Sequence, residues 1–139
     1  MPEGATKPVR DVAAAVIQRA DGRVLLVQRG PTAPTFPNCW GVITGFVEPA
    51  ETPPQTALRE IAEELGVRGR VLRRGEPFEV DIGPYVVRAW PLLCAIDPDA
   101  PIVLQSENQR YEWVPLAEVF QRPTIPQLDQ DFRALGLVE

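Results

Sequence analysis

The chain has 139 residues, 45% hydrophobic and 24% charged, which is the size and make-up of one globular domain spanning residues 1–139. Its net charge of −5 argues against a general affinity for nucleic-acid backbone or anionic membrane, and no apolar run approaches the ~18 residues of a membrane span. With no histidine and only Cys39 and Cys94, it excludes His-based triads, His-ligated metals and a disulfide or zinc framework. Both cysteines read as reduced, packed thiols of a cytoplasmic protein, because the N-terminus lacks the basic-then-apolar layout of a signal peptide.

Residues 1–8 have no apolar pattern and predict a loose tail. Val9 to Arg19, β-branched and alanine-rich, predicts a strand. Asp21-Gly22 predicts a hairpin turn, and Arg23 to Arg29 the returning strand. The unbroken apolar run Val24-Leu25-Leu26-Val27 predicts burial on both faces, hence a sheet between helices. Arg29 ends that strand, either as a solvated arginine or as a fork that matches phosphate oxygens. Gly30 to Cys39 is a loop with three prolines, and Trp40 to Thr44 predicts a short strand.

Next comes the densest chemistry in the chain, Gly45 to Val67. Its turn residues lead to Pro53-Pro54, tolerated only at a helix start; Pro54 is the expected first helical residue and Gly66 the left-handed stop. Leu58, Ile61 and Leu65 recur at core-facing spacing. Glu60, Glu63 and Glu64 share another face, where like charges repel unless water or a cation lies among them. Three carboxylates on one face suit a hard divalent cation such as Mg²⁺. The stretch resembles the signature of the Nudix hydrolases: Gly, five residues, Glu, seven residues, then Arg-Glu-hydrophobic-any-Glu-Glu-any-Gly-hydrophobic. Gly45, Glu51, Arg59, Glu60, Ile61, Glu63, Glu64, Gly66 and Val67 fill every specified position. One departure stands out. Many members carry Pro-Gly-Gly where this chain has Ile43-Thr44-Gly45, so the backbone at Thr44, which the resemblance implies as part of a metal shell, is more restricted than glycine would be.

Beyond Gly66 lie four arginines, Arg68, Arg70, Arg73 and Arg74, either a phosphate- or RNA-binding cluster or, the preferred reading, the solvent side of a strand. Phe78 to Ile82 and Tyr85 to Ile96 predict two strands around Gly83-Pro84. Leu104 to Arg110 predicts a loop, and Tyr111 to Val114 a strand with a short helix after it. Thr124 is the expected cap of a last helix, with Ile125, Leu128, Phe132 and Leu135 at helical spacing. The fold class is therefore α/β, a mixed sheet layered between helices, and the resemblance implies the same Nudix-like α/β/α sandwich.

The resemblance also implies an activity: Mg²⁺- or Mn²⁺-dependent hydrolysis of the diphosphate linkage in a small nucleoside diphosphate derivative. A non-catalytic ligand-binding regulator is the alternative. Glu60, Glu63 and Glu64 match the metal-binding positions, with a fourth carboxylate expected from the loop before the last strand, Glu107 in preference to Glu112. Arg59 and Glu51 would pair and fix the helix against its loop, Gly45 and Gly66 being structural. Phe36 and Trp40 are candidates to stack on a base and Arg29 to hold phosphate. Neither cysteine has a partner that would make it a nucleophile. An assembly of two copies is compatible with the sequence.

Overall fold

A computed structural model describes residues 7–105 and 107–139. The elements in chain order are β1 (Val9–Ile17), β2 (Val24–Arg29), β3 (Trp40–Gly41), β4 (Ile43–Phe46), α1 (Pro53–Leu65), β5 (Gly69–Arg74), β6 (Phe78–Asp81), β7 (Val86–Ile96) and β8 (Asn108–Val114). A 3₁₀ helix (Leu116–Gln121) and α2 (Leu128–Ala134) follow. Of the predicted tail, residues 1–6 lie outside the described residues. Lys7 and Pro8 are tied down: the Lys7 ammonium sits 2.7 Å from Asp81, and the Pro8 carbonyl accepts from the Val86 N–H.

β1 is paired along both edges, antiparallel to β4 and parallel to β7 over its whole length. β5 and β6 line up antiparallel along the far edge of β7. This mixed sheet explains why the Asp21-Gly22 turn does not make a hairpin. The turn forms, with the Arg19 N–H donating to Arg23 O, but β7 takes one edge of β1 and β4 takes the other from Val12 to Ala15, where a returning β2 would pair. After the single bridge between Gln18 and Val24, β2 enters a second sheet, of order β3-β2-β8.

Alternation along the strands builds two cores. Ala13, Ala15, Ile17, Leu25, Val27, Leu92 and Cys94 face α1, whose Ile61 and Leu65 are fully buried. Ala14, Val16, Val24, Leu26 and Leu93 face the other way, onto Val119, Leu128, Phe132 and Leu135 of the C-terminal helices. β2 is thus buried on both faces, as its unbroken apolar run predicts. The result is a mixed α/β/α sandwich with α1 on one side and the 3₁₀ helix and α2 on the other. Leu58 is half-buried and packs against the edge of this core, which Ala57 enters fully.

The last helix starts later than expected. Thr124 does not cap it: Thr124 forms a parallel bridge with Trp40, and the Ile125 N–H donates to Trp40 O at 2.9 Å. Pro126 pushes Ile125 out of the α region, and Gln127 then takes φ 64° before α2 begins at Leu128. Ile125 therefore packs against the second core from outside the helix and covers Gly41, where a Cβ would stand 2.9 Å from its Cδ1. β8 also starts earlier than predicted, at Asn108, paired with Arg29.

Candidate active site

Helix α1 is anchored at its N-terminus by a reciprocal cap. The Thr52 hydroxyl accepts from the Gln55 N–H, and the Gln55 side chain accepts from the Thr52 N–H. Pro53 and Pro54 fill the first two positions, one residue ahead of the expected start, and Gly66 closes the helix at φ 68°. The loop before it is held by Glu51. One Glu51 oxygen accepts from the Glu48 N–H and the Thr56 hydroxyl, and the Arg59 Nε donates to the other at 2.7 Å. The Arg59 guanidinium, with help from the Glu48 N–H, holds the Glu51 carboxyl down at about 2. Arg59 also donates to Phe46 O and lies 2.8 Å from Glu60 and 3.3 Å from Glu63. It therefore neutralises part of the acidic face while it fixes the loop.

The three signature glutamates are not equivalent. Glu60 lies over the backbone of β4, so close that a Cβ on Gly45 would be 2.5 Å from its carboxylate. Glu63 is turned outward towards Arg59, its side chain 58% exposed. Glu64 points into a cavity of about 410 Å³ that Arg29, Thr44, Glu107 and Asn108 also line. Its Oε1 lies 3.5 Å from the Asn108 amide, while its Oε2 is buried with no hydrogen-bond partner among the described residues. Burial first, then the charge of Glu60, a hydrogen bond shared with Glu60 and the charge of Glu107, push the Glu64 carboxyl far above the usual carboxylate range.

Glu107 reaches this cavity because its loop is strung along the end of α1. The Val103 N–H donates to Leu65 O at 2.9 Å, and the Gln105 N–H to Glu64 O at 3.3 Å. The Gly30 N–H then takes the Glu107 carbonyl at 3.0 Å, joining this loop to β2. Glu112 goes elsewhere: it lies on β8 opposite Leu26 and forms an ion pair with Arg122 at 2.8 Å.

The other candidates divide between the cavity wall and its surroundings. Trp40 is 7% exposed in the second core, with the guanidinium groups of Arg110 and Arg122 5.5 and 5.0 Å from its ring. Phe36 is about half exposed in the loop after β2 and does not line the cavity. Neither lines the cavity; Thr32, Ala33 and Pro34 of the same loop, with Val42 and Ile125, form that wall. Arg29 does line the cavity, but its guanidinium is bonded to Thr35. Cys94 is buried, its thiol pushed up to about 12 by desolvation, and Cys39 is half-buried away from the acidic groups. Sequence reasoning missed Asn108, for which no local signal exists, and the placement of Ile125, which Pro126 could have flagged.

A family model described as "NUDIX domain" matches residues 8–135. The chain belongs to the NUDIX family. Among curated relatives, it is 33% identical over 124 residues to an octanoyltransferase of Myxococcus xanthus, covering 85% of this chain but about a third (34%) of that protein. It is 33% identical over 119 residues to the CTP pyrophosphohydrolase of Escherichia coli, covering 84% of this chain and 83% of the relative. Among solved structures, the MutT protein of Methanosarcina mazei superposes with a TM-score of 0.75 at 25% identity, over 93% of each chain. The NUDIX signature is the stretch that carries Glu60, Glu63 and Glu64, so family and geometry meet at one helix.

The family implies a divalent cation, and the residues present fit one. Glu64 Oε2 is an orphaned buried oxygen, Gly45 leaves room that a Cβ would take from Glu60, and carboxylates are the donors a hard cation prefers. As they stand, no three acidic side chains among the described residues converge closely enough to hold an ion. Glu63 is the one turned away, held by Arg59.

Proposed function

We propose that this chain is a divalent-cation-dependent pyrophosphohydrolase that cleaves the diphosphate linkage of a small nucleoside diphosphate derivative, with Mg²⁺ or Mn²⁺. The observation that carries the reading is Glu64: a carboxylate whose Oε2 is buried without a partner, beside Glu60 and Glu107, in the wall of a nucleotide-sized cavity. Burying such a group unpaired is costly, and a cation among the carboxylates removes the cost. When bound, the cation supplies Lewis acidity towards phosphate oxygens and offsets charge on the bridging oxygen that leaves.

Glu60, Glu64 and Glu107 would hold the ion, and Glu63 would join them by leaving Arg59. A carboxylate of this group takes the proton from the attacking water as the phosphorus–oxygen bond breaks. Thr44 contributes its place in the cavity wall, and Arg59 with Glu51 holds the loop from Glu48 to Thr52 against α1. The name of the Escherichia coli relative supports nucleoside triphosphates as the first class to test. No described helix is long and apolar enough to cross a membrane; that the small-molecule substrate is met in the cytoplasm is part of the same proposal.

The test is hydrolysis of a panel of nucleoside triphosphates, nucleotide sugars and dinucleoside polyphosphates with Mg²⁺. Turnover of at least one class, abolished by EDTA and restored by Mg²⁺ or Mn²⁺, is expected. Activity that survives excess EDTA overturns the reading, and tight nucleotide binding with no turnover replaces it with a ligand-binding role.

A further inference from the structure

Five side chains that the chemistry above does not use, Gln28, Arg29, Thr35, Asn38 and Gln109, form a connected lock beneath the cavity wall. The loop from Gly30 to Cys39 closes on itself: the Asn38 and Ala33 N–H groups both donate to Gly30 O. Inside it, the Arg29 Nε donates to Thr35 O at 2.8 Å and its Nη2 to the Thr35 hydroxyl at 2.9 Å. From β8, the Gln109 side-chain amide uses both its protons, one on Arg29 O at 2.9 Å and one on Asn38 Oδ1 at 2.8 Å. From β2, the Gln28 amide donates to Asn38 O at 3.0 Å. The loop's two ends are thus bolted to the strand whose first residues are Asn108 and Gln109, directly after Glu107.

We propose that Gln109 and Asn38 are positioning residues: they fix the Thr32–Pro34 wall relative to Glu107, and so set how tightly substrate is held, without touching it. Three observations carry this. Asn38 sits at φ 63°, a left-handed conformation that asparagine, aspartate and glycine tolerate best, which aims its side chain at Gln109. The Gly30 N–H takes the Glu107 carbonyl, so one short stretch, Arg29-Gly30, is gripped by both Glu107 and Gln109. Arg29, the candidate phosphate clamp, commits two of its five N–H donors to Thr35, so its guanidinium also braces the wall. An exposed glutamine ordinarily contributes almost nothing; this one joins the wall's base to the acidic centre.

The inference rests on the proposed hydrolase activity for its kinetic arm, so a second arm reads the loop without activity. Gln109→Ala and Asn38→Gly each remove one half of the bridge, glycine keeping the left-handed backbone. Each should raise KM, and the Kd of a non-hydrolysable substrate analogue, about five- to thirty-fold, the effect of one or two lost hydrogen bonds, with kcat changed less than threefold. The double variant should be no worse than Gln109→Ala, and Asn38→Asp, which keeps the acceptor, should behave as the parent. Amide hydrogen exchange across residues 31–37 should quicken in both single variants while the strands keep their protection. Unchanged exchange, additive effects, or a fall in kcat with KM unmoved overturns the proposal. If the parent chain hydrolyses nothing, the proposed activity fails, and the exchange result still decides the lock.

Discussion

A Cβ on Gly45 would stand 2.5 Å from the carboxylate carbon of Glu60, and equally close to its Cγ and Oε1. The glycine and the glutamate are fifteen residues apart in the signature, and the fold lays one on the other. Gly45 is not in a left-handed conformation, so what demands glycine there is the side chain above it.

Gly45→Ala should therefore separate activity from stability. The Glu60 side chain can swing aside at little cost to the fold, so Tm should stay within a few degrees. The displaced carboxylate should lower turnover by about 10²-fold, in keeping with the cost of misplacing a catalytic group by about 1 Å. Steady-state kinetics beside a thermal melt tests this. Normal turnover would show that Glu60 does not act from this position.

Glu64→Gln removes a charge from a buried site while keeping its shape. Turnover should fall by roughly 10²–10⁴-fold, the range for a general base or a charge stabiliser. Without divalent cation the variant should be at least as stable as the parent, because burial and the neighbouring charges of Glu60 and Glu107 already oppose ionisation of Glu64. Adding Mg²⁺ should raise the parent's Tm more than the variant's. An early-melting variant with normal turnover would make Glu64 a structural residue.

Glu107→Gln and Glu112→Gln should diverge. Glu107 lines the cavity, whereas Glu112 pairs with Arg122 on the far side of β8 from the acidic helix. Turnover should drop at least tenfold for Glu107→Gln. Glu112→Gln loses one exposed ion pair, worth about 0–1 kcal/mol, with turnover unchanged. The reverse ranking would move the fourth carboxylate to Glu112.

Asp131, on the buried stripe of α2, gives a stability-versus-pH signature. It is 7% exposed, its Oδ1 has no partner among the described residues, and burial, with the charge of Asp129, lifts its carboxyl from 3.8 to about 7. Between these two values the folded chain holds a proton that the unfolded chain has lost. This group therefore makes the protein less stable as pH rises from about 4 to about 7, and the loss persists above that. Asp131→Asn should flatten that slope and be more stable than the parent at pH 8 by about 1–4 kcal/mol. Parallel stability curves for the two proteins in denaturant titrations from pH 4 to 8 would rule this out.

Much of this site is legible before folding because its information is local. The caps, the proline start, the glycine stop and the spacing of Ile61, Leu65 and the glutamates all lie within one helix and its loop, where 3.6-residue periodicity decides which side chains share a face. The unbroken run of β2 likewise reports burial on both faces, whatever its neighbours are.

What the sequence alone determined, then, is the identity of the acidic helix, the α/β layering and the family. The tertiary structure decided three things that depend on contacts between distant segments. The pairing of β1 on both edges, by β4 and β7, sends β2 into another sheet. The choice among the glutamates follows from which of them meets Gly45, Arg59 or the cavity: Glu60 is pressed on the backbone, Glu63 is held outward, and Glu64 is buried beside Asn108. The fate of Arg29 follows from Thr35 lying within reach of its guanidinium, and that of Trp40 from Arg110 and Arg122 covering its ring. Periodicity reports only the face on which a side chain emerges; which partner meets it there is set by strand order and register, and these emerge only when the whole core closes.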